Sequence, residues 1–568
     1  MSRTSRAVSH EAPDQSRVDP ITVEVIRNAL NAAADEMSVN LARSAYTPII
    51  YEMKDYSVAI FNRRFELLGQ SPGLPIFLGA LEDAIKVTVN HYGEEFLRPG
   101  DVYLINDSYL AGSHLNDVSV FTPIYHEGEL VGYAASKTHW MDIGAMEPSQ
   151  TMAATEIYQE GYRLGPTCIV RKGRLNQELM DFLTLNSRLP RSIRGDFQAQ
   201  MVACRTGERR LQEVYTRFGK QVVDRAVEAI FKQCERPDRE VVSSLPDGTW
   251  VAEGCLDNDG HGHDPVPVKL TVTIAGSDLY VDLAGSAPQT SGCLNCGFAQ
   301  TVSAARLAFK FLVNPDLPAS GGTFRCLHVS APRRSLFAAE LPAACQYYGP
   351  HLMLMIDLFI RIMADLMPDK AIGAQCADAM NVIADGMDPD DGQWVVGESL
   401  AIGWGASMNQ DGASAIVTYG GGDLKNYPIE AIESRYPVRV LGYGLMPDSG
   451  GPGRQRGGLA IFRDYEFLDD STHLSLWLER SVTPPWGLFG GQAGSTPAID
   501  LQRPGHEPMH LLKCSHVPTP AGSRLRAVTG GGGGYGPPAE RPRAAVESDL
   551  VDGYVSASSA AEDYSYVD

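Results

Sequence analysis

The sequence predicts an α+β protein with a mixed, multidomain architecture, in which antiparallel β-sheets and packed helices come in separate blocks and the C-terminal region is rich in β-structure. Three observations lead to this class. Helical and strand-like patterns succeed one another as helices, strands, helices and strands, without a regular βαβ alternation. The 568 residues exceed the length over which one hydrophobic core keeps growing. Glycine is abundant, at 56 residues, and many of these cluster between short strand-like runs near the C-terminus.

The chain divides into a tail and three regions. Residues 1–18 are polar and aperiodic, which predicts a disordered tail. Residues 19–244 are predicted to form an N-terminal α+β region that carries the candidate metal site. A mixed α/β middle region is expected over 245–390, and a β-rich, glycine-rich C-terminal region over 391–568.

The N-terminal region begins with a predicted long helix. Asp19 is placed to cap it, Pro20 fits its first turn, and apolar residues recur at helical spacing as far as Leu41. The segment "YSVAIFNRRFELLG" then predicts a hairpin, and "LPIFLGALEDAIKVTVNHYG" a second helix. Three strands are predicted in close succession in "GDVYLIND", "DVSVFTPIYH" and "ELVGYAASKTH".

The rest of the chain alternates between the two kinds of pattern. Residues 175–240 have helical periodicity, and residues 245–290 alternate apolar and polar side chains as strands do. Two further helices are predicted in "CGFAQTVSAARLAFKFLV" and "YGPHLMLMIDLFIRIMADLMP". Beyond about residue 390, short strands alternate with glycine and proline loops.

Composition excludes several classes of function. The net charge of −21 argues against a nucleic-acid partner, since nothing would neutralise phosphates. No window approaches 18 consecutive apolar residues, so no membrane span is predicted. The N-terminus lacks the apolar segment of a secretory signal, and the ten cysteines lack disulfide-like spacing, so a cytoplasmic location is expected. Neither GxxxxGK[ST] nor a strand-placed GxGxxG occurs, so no nucleotide fingerprint is present.

The main candidate site is a repeated His-x-x-Asp motif within residues 111–145. One copy is formed by His114 and Asp117, and the other by His139 and Asp142. Two imidazoles and two carboxylates are a donor set that suits a divalent metal such as Zn²⁺, Mn²⁺ or Fe²⁺, provided that the two copies lie close together.

A predicted hairpin brings the two copies together. The strands on either side of the polar turn 126–129 are expected to pair so that the numbers of facing residues add up to about 255. His114 is then expected opposite about residue 141, and Asp117 opposite about residue 138. The two motifs therefore meet at the open end of the hairpin, which favours a metal or catalytic role. The alternative is that each aspartate caps a turn and each histidine packs in the core.

Three further acidic residues are candidates for the same site. Asp55 precedes another predicted strand and could supply a further ligand. Glu156 and Glu160 stand one helical turn apart, and could support the ligands or act as a general base. The alternative for this glutamate pair is an exposed helix face.

Other patterns are weaker signals of chemistry. His261 and His263 could chelate a metal, although their loop of aspartate and glycine favours a solvated turn. Cys293 and Cys296 form a CxxC without a second copy, so buried thiols are the favoured interpretation. The C-terminal glycine loops could cradle a phosphate, and arginines within "PDSGGPGRQRGG" add to that possibility, but a structural role is slightly favoured.

Several separated motifs, in this order along the chain, resemble those of the hydantoinase B family. This family includes the B subunit of ATP-dependent N-methylhydantoinase, the C-terminal half of 5-oxoprolinase and the matching subunit of acetone and acetophenone carboxylases. The resemblance runs from about residue 20 to the C-terminus. It rests on "KDYSVAIF", "LPIFLGAL", "GSHLNDV", "THWMDIGA", "EIYQEGYRL", "VDLAGSAPQTSGCLN", "NPDLPASGGTFR", "YPIEAIESRYPVRV", "PDSGGPGRQRGG", "PPWGLFGG" and "TGGGGGYGPP".

The resemblance implies a metal-dependent subunit that works in a hetero-oligomer beside an A-like subunit, which binds the ATP. Carried over motif by motif, it implies a metal site formed by Asp55, His114, His139 and Asp142, with Asp117 as a further possible ligand. An aspartate that is not a ligand could act as the base or orient an imidazole, which leaves Asp117 and Asp142 as catalytic candidates.

The chain also departs from the family pattern. Hydantoinase-like members often read His-Ile-Pro-Val-His-Leu-Gly where this chain has "GLPIFLG", with Gly73 and Phe77 at the histidine positions. Trp140 stands where a second histidine is common. The expected function is ATP-dependent hydrolysis of a small cyclic amide of the hydantoin, lactam or oxoproline type, with Glu160 as a further catalytic candidate. The departures leave two alternatives, a subunit of a ketone carboxylase and a non-catalytic scaffold for the A subunit.

Overall fold

The computed structural model describes residues 18–378, 380–390 and 392–566. All but the last residue of the predicted disordered tail, 1–18, therefore lies outside the described residues. Within the described ranges, no helix is both long enough and apolar enough to cross a membrane.

The N-terminal region is built on an antiparallel sheet of seven strands, in the order β2-β1-β5-β4-β3-β6-β7. Its helices are α1 (Pro20–Ser44), α2 (Pro48–Tyr51), α3 (Pro75–Tyr92), α4 (Ser108–Ala111), α5 (Gln177–Leu185), α6 (Pro190–Phe218) and α7 (Lys220–Ser244). Its strands are β1 (Tyr56–Asn62), β2 (Leu67–Gln70), β3 (Val102–Ile105), β4 (Asp117–His126), β5 (Glu129–His139), β6 (Thr167–Arg171) and β7 (Arg174–Leu175).

Local chemistry explains where the first elements begin. The Asp19 carboxylate accepts hydrogen bonds from the backbone N–H groups of Ile21 and Thr22, and Pro20 occupies the first turn of α1. The predicted cap and helix are thus confirmed. α1 and α6 pack on one face of the seven-stranded sheet, and α3 packs on the other. Both faces are covered, so most side chains of the central strands are buried.

The middle region contains a four-stranded sheet in the order β11-β10-β9-β8, in which only β10 and β11 are parallel. Its elements are β8 (Gly248–Leu256), β9 (Val266–Ala275), β10 (Asp278–Asp282), α8 (Phe298–Val313), β11 (Leu327–Ser330) and α9 (Gly349–Ala364). α9 is buried on nearly every side, and it packs on β8, β9 and α8. α8 also contacts α3, which joins this region to the first.

The remaining strands form two antiparallel sheets, β13-β12-β16-β19 and β14-β15-β20-β17-β18. Their elements are β12 (Asn381–Asp388), β13 (Gly392–Ser399), α10 (Ile429–Arg435), β14 (Val438–Leu445), β15 (Ile461–Phe467), β16 (His473–Trp477), β17 (Ala498–Gln502), β18 (Met509–Leu511), β19 (Lys513–Pro518), β20 (Arg524–Val528), α11 (Arg543–Val551) and α12 (Ala557–Tyr564). The predicted α+β class is confirmed. The boundary at residue 390 stays a prediction, and β12, which precedes it, pairs with strands that follow it.

Candidate metal centre

Three neighbouring strands bring the candidate ligands to one edge of the N-terminal sheet. β5 lies between β1 and β4, and Asp117 of β4 faces His139 of β5 directly. Tyr56 of β1 faces Thr138, so Asp55, one residue earlier, comes opposite His139. The His139 backbone N–H donates to the Asp55 carbonyl at 3.3 Å. The three side chains therefore form a row across the sheet.

A β-bulge sets the register of this row. Beside the turn, the hairpin has the predicted register, but the pairing shifts between Ile124 and Tyr125. Beyond that bulge, Asp117 pairs with His139 instead of residue 138. Because neighbouring residues of a strand point to opposite faces, the bulge is what places the Asp117 and His139 side chains on the same face.

His114 precedes β4 and completes a compact group of three donor atoms. Its Nε2 lies 2.8 Å from Oδ1 of Asp117 and 3.1 Å from Nδ1 of His139. The His139 Nδ1 is in turn 3.1 Å from the same Asp117 oxygen. All three residues are buried. His114 Nδ1 lies 2.9 Å from the backbone carbonyl oxygen of Gln346, and in the tautomer that donates to this carbonyl the ring presents the lone pair of Nε2 to the group.

The residues present fit a divalent cation. The two ring nitrogens stand 3.1 Å apart and both lie beside the same Asp117 oxygen, so one cation can take a lone pair from each of the three atoms. Oδ2 of Asp117 and Oδ1 of Asp55 are buried without a hydrogen-bond partner among the described residues. A cation would give these oxygens the partner that they lack, and imidazole with carboxylate is the donor set of Zn²⁺, Mn²⁺ and Fe²⁺ sites.

The two carboxyl groups differ in acidity. Burial raises the pKa of Asp55 to about 7, and the negative charge of Asp117 adds to this effect. Burial also acts to raise the pKa of Asp117, but His114 and His139 outweigh it and hold that pKa below its usual range. Asp117 is therefore ionised at neutral pH beside the two histidines.

The group lies in the wall of a cavity of about 130 Å³ between the N-terminal sheet and the later regions. Ile76 and Phe77, from the first turn of α3, and Met353 of α9 supply apolar wall. Tyr348, just before α9, stands edge-on to the His114 ring, with ring centroids 5.2 Å apart. The cavity thus combines a few convergent polar groups with apolar surface, as small-molecule sites usually do.

The comparison with known proteins identifies the family. The family model described as Hydantoinase B/oxoprolinase matches residues 19–538. The chain belongs to this family. It is 30% identical to the putative B subunit of the D-/L-hydantoinase of Pseudomonas sp. (strain NS671), over 97% of this chain and 95% of that protein.

Two solved structures share the fold of this hydantoinase B family member. The ATP-dependent caprolactamase from Pseudomonas jessenii superimposes with a TM-score of 0.91 at 28% identity, over 97% of each chain. The nucleotide-free structure of acetone carboxylase superimposes with a TM-score of 0.88 at 19% identity, over 97% of this chain and 80% of that one. The second likeness concerns the fold alone.

In this family member, Asp142 is not brought to the donor group. Its buried carboxylate accepts hydrogen bonds from the Arg188 backbone N–H at 2.6 Å and the Arg188 guanidinium at 3.0 Å. The Ser187 hydroxyl, at 3.1 Å, and the Ser149 N–H, at 3.4 Å, also donate to it. Asp142 therefore ties together the loops that follow β5 and α5, and four donors surround its two oxygens.

Glu160 and Glu156 are not held on one exposed helix face. The Glu160 Oε1 accepts the backbone N–H groups of Cys345 and Gln346, each at 2.7 Å, and its Oε2 is buried without a partner among the described residues. Burial raises the pKa of Glu160 well above its usual range, and the two backbone hydrogen bonds oppose this shift. Glu156 is exposed and caps a short 3₁₀ turn, Ile157–Gln159.

Sequence reasoning missed three residues around the donor group. Lys137 lies two residues before His139 on the same strand face, and burial lowers the pKa of its amine to about 8. A lysine at an inward position of an otherwise apolar strand was the available signal. Gln346 and Tyr348 reach the group from the segment before α9, and no local pattern distinguishes them.

The glycine loops pack against one another. Gly451 donates its N–H to the carbonyl of Gly532, and Gly532 donates to Gly458. A Cβ added to Gly532 or Gly457 would come within 1.9 Å of a backbone atom. These glycines therefore permit close backbone contact, which supports their structural role.

The arginines of these loops already have partners. The Arg456 guanidinium contacts Asp549, and that of Arg454 donates to the Met408 carbonyl. These contacts engage both groups within the fold and give no support to a phosphate cradle.

The two weaker candidates have ordinary environments. His261 and His263 are exposed, in a turn whose N–H groups at 261 and 262 donate to the Asp259 carboxylate. Cys293 and Cys296 are free, buried thiols.

Proposed function

We propose that this chain is the metal-dependent B subunit of an ATP-dependent enzyme that hydrolyses a small cyclic amide of the hydantoin, lactam or oxoproline type. The observation that carries the proposal is the buried meeting of His114, Asp117 and His139 beside carboxylate oxygens that have no hydrogen-bond partner among the described residues. Similarity to one subunit of a hydantoinase and to an ATP-dependent caprolactamase supports the class of substrate.

The proposed ligands are His114, Asp117 and His139, with Asp55 as the fourth, and the metal is Zn²⁺, Mn²⁺ or Fe²⁺. A cation bound there would act as a Lewis acid on a carbonyl or phosphoryl oxygen and lower the pKa of a water molecule. We assign Asp142 a structural role, in which it holds together the loops that follow β5 and α5. Its oxygens already accept hydrogen bonds from Arg188 and neighbouring residues.

Glu160 is proposed as a positioning residue. Its Oε1 holds the backbone N–H of Gln346, and the carbonyl of Gln346 accepts the proton of His114 Nδ1. This chain of contacts fixes the His114 ring with Nε2 toward Asp117. Such support from a second layer of residues fixes the tautomer and the orientation of a ligand.

The cavity walls are proposed to bind the substrate ring and exclude water. Ile76, Phe77 and Met353 offer apolar contacts to the methylene groups of a lactam. Burial, aided by the charges of Asp117 and Asp55, raises the pKa of Tyr348 well above its usual range. Its hydroxyl therefore stays protonated, and it interacts with Asp117 in the cavity wall.

ATP is proposed to bind to a hydantoinase A-like partner in a cytoplasmic hetero-oligomer. The chain lacks both nucleotide fingerprints, and the hydantoinase relative from Pseudomonas is itself named as one subunit of its enzyme. The partner would phosphorylate an amide or enol oxygen of the substrate, and the activated species would then react in the cavity described above.

A ketone carboxylase subunit is the second candidate. Phe77 gives the cavity an apolar wall at a position where hydantoinase-like sequences often carry histidine, and Gly73 replaces the other histidine. Loss of two imidazoles favours a substrate with fewer polar groups than a hydantoin.

One assay separates these candidates from a scaffold role. The chain is co-expressed with its A-like subunit, and ATP-dependent turnover is measured for cyclic amides and for ketones, with and without bicarbonate. Turnover of cyclic amides without bicarbonate is expected. Turnover of ketones alone, and only with bicarbonate, would establish the carboxylase instead. ATP-dependent turnover that survives the loss of both His139 and Asp117 would leave the chain as a scaffold.

The ligands are tested by metal analysis of His139→Ala and Asp117→Asn. The matched control is His126→Ala, because His126 ends β4 beside the turn, where its ring contacts that of Tyr215. The first two variants should each lose one equivalent of metal per chain, and the control should keep it. Unchanged metal content in both site variants would remove the ligand assignment.

A further inference from the structure

A second group of imidazoles and a carboxylate lies in the sheet β13-β12-β16-β19. Asp385 of β12 faces His473 of β16 directly, and β19, which carries His516, is the next strand. The three residues offer donor atoms that all lie within 4.8 Å of one another. This group shares no residue with the donor group of the proposed active site.

The geometry of the group is specific. His473 and His516 stack with ring centroids 3.8 Å apart and planes 1° apart. Nε2 of His516 lies 3.6 Å from Oδ2 of Asp385, close to the separation of roughly 3.4 Å between two ligands that stand about 2.1 Å from one tetrahedral ion. A tilt of the two rings would turn their lone pairs toward a common point beside the carboxylate.

The backbone is arranged to place His516 over His473. The pairing of β16 with β19 shifts between Leu474 and Leu476, opposite His516, and His516 itself has a φ of +50°. A non-glycine residue in this left-handed region is strained, and such residues concentrate at functional positions. The Ser475 hydroxyl accepts the His516 N–H at 2.9 Å and holds this conformation.

The surroundings favour a cation. Asp385 is buried, and the Gln393 amide donates to its Oδ2 at 3.4 Å. Glu147 accepts a hydrogen bond from the hydroxyl of Ser515, next to His516, and its charge acts on both Asp385 and His516. Arg188 is the opposing positive charge, and it is already paired with Asp142. The carboxylates of Asp385 and Glu147 thus give the group a negative surrounding. Solvent reaches the group through His516, whose side chain is 35% exposed.

We propose that Asp385, His473 and His516 form a second binding site for a divalent transition metal, of the Zn²⁺ class, separate from the proposed active site. Two imidazoles and one carboxylate match the preference of Zn²⁺ and Fe²⁺ over Mg²⁺ or Ca²⁺. A metal there would join the three strands β12, β16 and β19. The site would cross-link three strands of the sheet β13-β12-β16-β19.

Cobalt binding tests the proposal on the full chain. Asp117→Asn/His139→Gln removes the first site, and the chelator-treated double variant is titrated with Co²⁺ while the absorption of bound Co²⁺ is followed. One Co²⁺ per chain is expected to bind. Adding His473→Gln should weaken this binding by about a hundredfold, and adding Asp385→Asn should do the same. His510→Ala is the matched control, because His510 is exposed on β18 and pairs with Asp500.

Two results would overturn the second site. One is a double variant that melts like the wild type and binds no Co²⁺. The other is binding that survives both His473→Gln and His516→Gln. The test is independent of the proposed function, because in the wild-type background His473→Gln and His139→Ala should each remove a different equivalent of metal. Loss of metal in His139→Ala alone, with His473→Gln unchanged, would support only the first site.

Discussion

Replacement of Asp142 by alanine should destabilise the protein strongly and leave its metal content intact. The fully buried carboxylate accepts four hydrogen bonds, two of them from Arg188 and one each from Ser187 and Ser149. A hydrogen bond to a charged group contributes about 1.5–3 kcal/mol. The Arg188 side chain is 31% exposed, so its guanidinium can bind water once the carboxylate is removed. The loss of stability therefore comes chiefly from the hydrogen bonds of the Arg188 backbone N–H and the Ser187 hydroxyl. The expected loss is about 3–5 kcal/mol.

The assay combines stability with metal analysis. Urea unfolding of the Zn²⁺-loaded chain gives the change in midpoint, and mass spectrometry gives the metal per chain. Asp142→Asn is the matched variant: it keeps the shape and one acceptor oxygen, and it should lose roughly half as much stability. Asp117→Asn serves as the control for the metal measurement, because this variant is expected to lose the metal. The reasoning is refuted if Asp142→Ala loses metal as Asp117→Asn does while its unfolding midpoint stays that of the wild type.

Three further predictions concern the later regions. Burial raises the pKa of Asp378 to about 7, so the folded state holds more protons than the unfolded state between about pH 4 and 7, and this group's contribution to stability falls as pH rises. Asp378→Asn cannot ionise, and its unfolding free energy relative to wild type should rise by about 3 kcal/mol between pH 5 and 8; equal pH profiles in urea titrations would contradict this. Gly532→Ala should abolish soluble expression, because its Cβ would meet backbone at 1.9 Å, whereas Gly165→Ala, with open space around it, should express normally. Arg541→Lys should cost about 2–4 kcal/mol in thermal unfolding, because the buried guanidinium bridges Asp411 through both nitrogens and also contacts Asp549; an unchanged melting temperature would count against that role.

Local sequence signals predicted the elements that carry the metal centre. The cap at Asp19, the helix from Pro75 and the hairpin strands depend on contacts within a few residues, and all are present. The pairing of the hairpin brought His114, Asp117 and His139 together in the prediction as in the structure. The family resemblance added Asp55, which spacing alone left open.

The prediction failed to separate residues that look alike in sequence. Asp117 and Asp142 each follow a histidine by three residues, yet only Asp117 faces the imidazoles. The difference arises from α6 and the loop before it, where Arg188 meets Asp142. That contact spans 46 positions and leaves no local trace.

The sequence by itself determined the α+β class, the order of the elements and the repeated His-x-x-Asp motif, because these depend on periodicity, capping and residue type. The family followed from the resemblance of its ordered motifs. The tertiary structure decided the rest. A bulge between Ile124 and Tyr125 turns Asp117 and His139 to one face, and the segment before α9 supplies the carbonyl that orients His114. In the same way, three strands far apart in sequence bring Asp385, His473 and His516 together. A one-residue shift in register costs little locally but reverses which face a side chain occupies, and only the packed sheets fix it.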